Sequence, residues 1–449
     1  MDQRRATPLG NAGRGAETFT KGDLDVRVVV PLGERKLAAT VEVPGSKSYT
    51  QRALVVASLA EGESVLKNAL LAEDSHYLIE ALRILGVHIE EQGKEITVRG
   101  TGGRLAEITS PLFLGNNGTA LRFLTSFVSL GQGKYLLTGE KRLCERPIKP
   151  LLDALSSLGV RSKTRDNTGY PPVEIYGGGL RGGEVIFGDI ESSQYVSSLL
   201  IVAPYAEGDV RITLKGRVVS EPYIEMTRET MGKFGVLVTK EAEGQYFIKS
   251  GQTYRGREYV VEGDCSSASY FFLAAALCGG SVRVENINPF SLQGDIRFLE
   301  ILETLGCHCE RGENWVTLKG GVLRKGDFTF DLSSMPDMVP TLAVLAALRE
   351  GRTEIVNVAH LRVKESNRLA ALARELNKLG INAEETQTGL IVFGGRPQGT
   401  TIETYNDHRI AMSFGMLGLV VPGMKILNPD CVKKSFPTFW VEMEKLYGR

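Results

Sequence analysis

An excess of either charge is missing from this 449-residue chain: 53 Lys and Arg stand against 53 Asp and Glu. Nucleic acid and anionic membrane surfaces favour a basic excess, so neither is expected as the main partner, and what basic character there is must be local. Long apolar runs are missing as well. The greasiest stretch, from Phe414 to Val421, is broken by Gly415 and Gly418 and falls far short of the roughly 18 apolar residues of a membrane span. The first 26 residues carry Arg4, Arg5 and Arg14 among Gly, Thr and Ala, with no apolar h-region. They are no secretory signal and read as a disordered extension, which points to a cytoplasmic location. Paired cysteines are the third absence. Cys144, Cys265, Cys278, Cys307, Cys309 and Cys431 lack metal-finger spacing, and Cys307 and Cys309 share one face of a strand pattern, CHCERGENWVTL. They read as reduced thiols, with no metal site and no cofactor expected.

What the chain has in excess is glycine, 51 of 449 residues or about 11%, against a usual level of about 7%. These glycines are periodic. A Gly shortly before strand-like residues, each time after a long apolar stretch, recurs at Gly62, Gly133, Gly208, Gly280, Gly351 and Gly423, with spacings of 71, 75, 72, 71 and 72. A second marker, an amphipathic helix ending in Leu-Gly or Phe-Gly, recurs at Gly86, Gly159, Gly235, Gly306 and Gly380, with spacings of 73, 76, 71 and 74. Two independent markers with one period establish a repeat.

Each unit reads as an apolar helix, a strand, an amphipathic helix and two strands. In the fifth unit Leu369, Leu372, Leu376 and Leu379 make the stripe of the second helix. Helices that are greasy nearly all round belong inside, covered by sheets. Six units exceed one core, so the expected fold class is α/β, with two similar domains of three βαβαββ-like units each. The boundaries are set at 45–263 for units one to three and at 27–44 plus 264–449 for units four to six. The strands VRVVVP and LAATVEV before Pro44 are expected to complete the sheet of the sixth unit, which ends short at Arg449. The active site would lie in the cleft between the domains.

The apolar helices open on Ser46-Lys47-Ser48, Asn117-Gly118-Thr119, Ser192-Ser193-Gln194, Cys265-Ser266-Ser267, Pro336-Asp337 and Asp407-His408-Arg409. Capping accounts for Ser, Thr, Asn and Asp there. It does not account for Lys47, Arg52 or Arg409, because a cation in the first turn opposes the helix dipole by about 0.3–1 kcal/mol. Three such placements at equivalent points indicate anion sites, where backbone amides and a basic side chain share a phosphate or carboxylate. The GxxxxGK[ST] spacing of a Walker loop is absent. Arg362 to Arg368 read as a helix that sets Lys364 and Arg368 four apart, like charges on one face, with Glu365 beside them. Arg142, Arg146, Lys433 and Lys434 are further loop cations, and His408 reads as a polar wall. A cleft rimmed by these cations, with Asp337 and Glu365 as proton carriers, suits a small, multiply anionic substrate pair and acid–base chemistry.

The motifs PGSKSYTQRAL, LGNNGTALRFL, GEKRLCERPI, ESSQYVSSLL, VEGDCSSASYFF, RVKESNRL and YNDHRIAM, in this order from about Leu37 onward, make the chain resemble the 5-enolpyruvylshikimate-3-phosphate synthase family. The resemblance implies an enolpyruvyl transferase-like, inside-out α/β fold and two domains closing like a clam. It implies transfer of the enolpyruvyl group of phosphoenolpyruvate to the 5-hydroxyl of shikimate 3-phosphate by addition and elimination, in a monomer without cofactor. It assigns shikimate 3-phosphate to Lys47, Ser48, Arg52, Ser192, Ser193, Gln194, Ser220, Tyr223, Asp337, His360 and Lys364. Phosphoenolpyruvate falls to Lys47, Asn116, Gly118, Arg146, Gln194, Glu365, Arg368, His408, Arg409 and Lys434. Asp337 would take the hydroxyl proton, Glu365 would deliver one to the methylene carbon, and Lys47, counted as catalytic with them, would reach both substrates. Three positions depart from the family pattern: His360 for an Asn, Asn117 for an Ala and Phe123 for a Pro. Gly118, which goes with glyphosate sensitivity in the family, is kept. The rivals weighed are a UDP-N-acetylglucosamine enolpyruvyl transferase, whose reactive loop Cys would have to be Cys144; an RNA-end cyclase, opposed by the neutral charge; and a non-catalytic phosphate-binding scaffold, opposed by the intact carboxylates.

Overall fold

Apolar residues at nearly every position, with a polar cap in front, give the central helices of the repeat. The computed structural model describes residues 16–21 and 24–448. Unit one holds α1 (Lys47–Leu59) and α2 (Glu73–Ile84), unit two α3 (Gly118–Phe127) and α4 (Lys149–Ser157), and unit three α5 (Gln194–Val202) and α6 (Pro222–Lys233). Unit four holds α7 (Cys265–Cys278) and α8 (Phe298–Thr304), unit five α9 (Val339–Leu348) and α10 (Arg368–Lys378), and unit six α11 (His408–Leu417), followed by the terminal α12 (Phe439–Glu444). The odd-numbered helices α1 to α11 form the interior: α3 packs on α1 and α5, and α7, α9 and α11 pack on one another. The capping expectation holds at Ser46, Asn117, Asp264 and Asp407, whose side chains accept from backbone N–H groups of the first turn.

Among the described residues, six four-stranded sheets cover these helices. All share one plan: a parallel pair, then a hairpin added antiparallel, as in Glu258–Val260, Glu63–Lys67, Glu95–Arg99 and His88–Gln92. The buried apolar residues fall into two clusters. One runs from Tyr49 to Val261; the other joins Val29–Val43 to Cys265–Tyr447. The chain crosses between them twice, and the crossings exchange strands. Ala38–Glu42, just before α1, pairs parallel with Ser281–Glu285 of unit four, while Glu258–Val260, just before α7, pairs parallel with Glu63–Lys67 of unit one. The two crossing segments also bond to each other, Ser46 N to Glu262 O at 2.7 Å and Asp264 N to Pro44 O at 2.9 Å.

Two expectations change here. Residues 1–15, 22 and 23 of the expected extension lie outside the described residues, but Ala16–Lys21 and Leu24–Val29 are paired strands rather than disordered chain. The cause is the short sixth unit: its strand Lys425–Leu427 would be left as an open edge, and Leu24–Val29 pairs with it antiparallel. The segment VRVVVP thus completes the sixth sheet as expected, whereas LAATVEV joins the fourth. Among the described residues, no helix is long and apolar enough to cross a membrane.

Candidate active site

The helix starts converge on one cavity, whose wall takes residues from both clusters: Lys47, Ser48, Asp74, Gly118, Thr119, Arg146, Ser192, Ser193, Gln194, Ser220 and Tyr223 from the first, and Pro336, Asp337, Lys364, Glu365 and Arg409 from the second. Two ion clusters organise it. In one, Arg368 is the hub: its Nη1 lies 2.8 Å from Asp337 Oδ1, its Nη2 2.9 Å from Glu365 Oε2, and its Nε 2.8 Å from Asp407 Oδ2. Arg409 Nη2 holds the other oxygen of Asp337 at 2.7 Å. In the second cluster, Asp74 takes Lys47 Nζ at 3.2 Å and Lys434 Nζ at 2.6 Å, the latter across the cleft. Lys434 Nζ also donates to Asn116 O at 3.2 Å.

Field and burial compete at each group. Burial alone would push the Asp337 carboxyl up, but Arg409, Arg368, Lys364 and Lys47 outweigh it and hold it below its ordinary range. Glu365 is likewise buried, and Arg368, Arg146, Lys47 and Lys434 bring it well below the usual carboxylate value. Burial, reinforced by the neighbouring Arg146 and opposed by Asp337, lowers Lys364 to about 8. Arg146 is lowered to about 10 by burial and by Arg122. Among the described residues, its Nε and Nη1 have no hydrogen-bond partner, and neither does Gln194 Oε1. Buried donors of a charged group left in this state are costly unless an anion meets them.

Six of the expected site residues stand behind the wall rather than in it. Arg368 supports Asp337 and Glu365, as above. Lys434 donates to both Asp74 and the Asn116 carbonyl. Arg52 is buried against Thr227 Oγ1 (2.8 Å), Ser48 O (3.0 Å) and Tyr223 O (3.1 Å), holding the helix start rather than facing the cavity beside Ser48. His408 is fully buried, with neither ring nitrogen hydrogen-bonded among the described residues, and burial lowers it well below an ordinary histidine. His360 lines an adjoining pocket with Arg217, Asn357 and Thr388; burial and Lys364 lower it to about 3, so it is a neutral imidazole.

The expected helix over 362–368 is not continuous. A 3-10 turn spans Ala359–Val363, Lys364 is extended at φ −90° and ψ −155°, and Asn367 caps a new start at Arg368. The cap wins because its side chain takes Ala370 N at 3.2 Å, and the break turns Lys364 and Glu365 into the cavity. Sequence reasoning missed Asp74 and Thr119. Asp74 sits in the first turn of α2 beside Glu73, where acidic residues are ordinary dipole partners, so nothing marked it. Cys144 is not in the wall; its Sγ lies 3.7 Å from Gly139 O.

Comparison with known proteins gives one answer. A family model described as EPSP synthase (3-phosphoshikimate 1-carboxyvinyltransferase) matches residues 32–443. A 3-phosphoshikimate 1-carboxyvinyltransferase of Trichormus variabilis is 41% identical over 424 residues, covering 94% of this chain and 99% of that protein. One from Syntrophobacter fumaroxidans is 43% identical over 413 residues, covering 91% and 97%. The solved EPSP synthase of Acinetobacter baumannii superposes with a TM-score of 0.78 at 29% identity, over 94% of this chain and 98% of that one.

Proposed function

The chain belongs to the EPSP synthase family and transfers the enolpyruvyl group of phosphoenolpyruvate to shikimate 3-phosphate in the shikimate pathway; on that premise we propose how its residues divide the work. Lys47, Ser48, Ser192, Ser193, Gln194, Ser220, Tyr223 and Lys364 hold shikimate 3-phosphate, with Arg52 and His360 shaping the walls behind them. Lys47, Gly118, Arg146, Gln194 and Arg409 hold phosphoenolpyruvate, with Asn116, Arg368, His408 and Lys434 supporting from behind the wall. The observation that carries this reading is Arg146: it is buried, with two unpartnered donors, in the wall that also holds Lys47 and Gln194.

The chemistry follows from the charges. In the absence of substrate Asp337 and Glu365 are both held ionised by surrounding cations. Incoming phosphate and carboxylate groups neutralise those cations, and both carboxyls rise. Asp337 then becomes a competent base for the 5-hydroxyl, whose oxygen bonds to C2 of phosphoenolpyruvate while Glu365 delivers a proton to C3. In the second step Glu365, ionised after the first, takes a proton back from C3 as the C2–O bond to phosphate breaks and the enol double bond returns. Lys47, Arg146 and Arg409 stabilise the negative charge on the tetrahedral adduct and on the departing phosphate.

We take the two clusters as two domains, 45–263 and 27–44 plus 264–449, closing on the cleft. The working form is a cytoplasmic monomer, since one chain supplies both walls of the cavity and its six cysteines are free thiols. The test is phosphate release from phosphoenolpyruvate with shikimate 3-phosphate as acceptor, and with UDP-N-acetylglucosamine in parallel. Release with the former alone is expected. Release with the nucleotide sugar alone would assign the chain to the other enolpyruvyl transferase branch. Release with neither, from folded protein, would bring the scaffold reading forward.

A further inference from the structure

We propose that Arg142 is a positioning residue, clamping the segment that carries Lys364 and Glu365 from the opposite side of the cleft. That segment lies between the 3-10 turn ending at Val363 and the start of α10, so no helix or sheet ladder fixes the backbone at Lys364. Arg142 does so instead. Its Nε donates to Lys364 O at 2.9 Å and its Nη2 to Arg362 O at 2.9 Å, while Nη1 is held by Glu145 Oε2 at 3.0 Å. A guanidinium is a rigid planar fork, so it sets the spacing of two carbonyls that bracket Val363 and immediately precede Glu365.

On the other flank, Ser366 Oγ donates to Asp407 Oδ2 at 2.9 Å and Arg368 holds Glu365 itself. Those tethers come from the same half of the molecule as Glu365; the Arg142 tether comes from the first cluster's side. Arg142 also opens the short turn Leu143–Glu145 that leads to Arg146 in the cavity wall. Docking Arg142 and presenting Arg146 are therefore one event, and a closed cleft is coupled to an aligned Glu365. With its side chain 29% exposed, Arg142 exchanges water for these carbonyls when the cleft shuts.

The proposal rests on the reading that Lys364 and Glu365 act on the substrates, so its test has one arm that does not. Full-length wild type, Arg142→Ala, Arg142→Lys and Lys141→Ala, an exposed neighbour as control, are compared by turnover and by amide hydrogen exchange. In Arg142→Ala, kcat falls about 10- to 100-fold, more than either KM changes, because a small misplacement of a reacting group is costly. Exchange rises across 362–367 and not across the rest of the chain. Arg142→Lys, with one ammonium for two carbonyls, gives intermediate kcat, and Lys141→Ala matches wild type. Turnover of Arg142→Ala within twofold of wild type would overturn the proposal. So would a loss accompanied by faster exchange throughout the chain, which marks general destabilisation. If wild type itself releases no phosphate with shikimate 3-phosphate, the substrate reading fails, and unchanged exchange at 362–367 in Arg142→Ala still decides against the clamp.

Discussion

At the residue scale, the proposed proton transfer falls to two carboxylates, Asp337 and Glu365, that the surrounding cations hold below their ordinary range. Asp337→Asn and Glu365→Gln each retain a side chain of nearly the same size, so we expect the fold to survive while turnover drops by about 100-fold or more. Near-normal phosphate release by either variant would remove it from the proton-carrier role. Lys364 gives a pH dependence. Its value of about 8 lies below the ordinary lysine value, so its positive charge is complete well below pH 8 and is lost as pH rises through that region. Because kcat/KM reports the free enzyme, kcat/KM for shikimate 3-phosphate should be flat near pH 7 and fall about tenfold per unit above pH 8. A profile with no limb near pH 8, or one unmoved by Lys364→Arg, counts against its contact with substrate. Most of these residues were legible in the sequence because cations at helix starts have no capping explanation. Asp74 was not, because a carboxylate in a first turn has one.

Elements place these groups, and α3 shows how. Asn117 has a clear structural use: Oδ1 accepts from Ala120 N at 2.9 Å, while Nδ2 donates to Gln51 Oε1 at 3.0 Å and Asp74 O at 2.6 Å. Asn117→Ala removes a cap and strands two buried acceptors, together about 2–3 kcal/mol; the melting temperature should fall by several degrees in calorimetry. One residue on, Gly118 has no room for a side chain. A Cβ there would lie 2.3 Å from Arg122 Nη1 and 2.4 Å from Arg146 Cζ. Both are side-chain ends, so Gly118→Ala should displace Arg146 rather than unfold the helix. The expected signature is a KM for phosphoenolpyruvate raised about tenfold or more, with binding of shikimate 3-phosphate alone little changed. Equal loss for both ligands would mean a wider collapse. The central helices were readable from composition and period. The break before α10 was not, since RVKESNRL fits helical spacing and only the Asn367 cap and the cross-cleft contact of Arg142 decide against it.

Over the whole molecule, the repeat predicts two sets of three units, and the strand exchange at Pro44 and Glu262 shows how they are joined. Which strand goes to which sheet was hidden, because the pairing is between segments about two hundred residues apart and depends on backbone groups that every sequence has. Each cluster has its own apolar interior, so what holds the cleft shut is polar: Lys434 to Asp74, Arg142 to the carbonyls of Arg362 and Lys364, and Tyr223 OH to Asp295 Oδ2 at 3.0 Å. Of these, the Lys434–Asp74 pair is the most deeply buried, with side chains 5% and 3% exposed. Removing one partner of a buried pair leaves an uncompensated charge, a penalty of several kcal/mol. In Lys434→Ala Asp74 keeps only the longer Lys47 pair at 3.2 Å, and the molecule can relieve the loss by letting water into the cleft. A chain of 449 residues folded compactly has a radius of gyration of about 22 Å. By small-angle scattering Lys434→Ala should exceed the wild-type radius when free of substrate, with an unchanged melting temperature for each half and a shift back on adding shikimate 3-phosphate. Superimposable curves for the two proteins would mean that Lys434 serves the substrate alone, and that closure is set by the neutral bonds and the crossing strands.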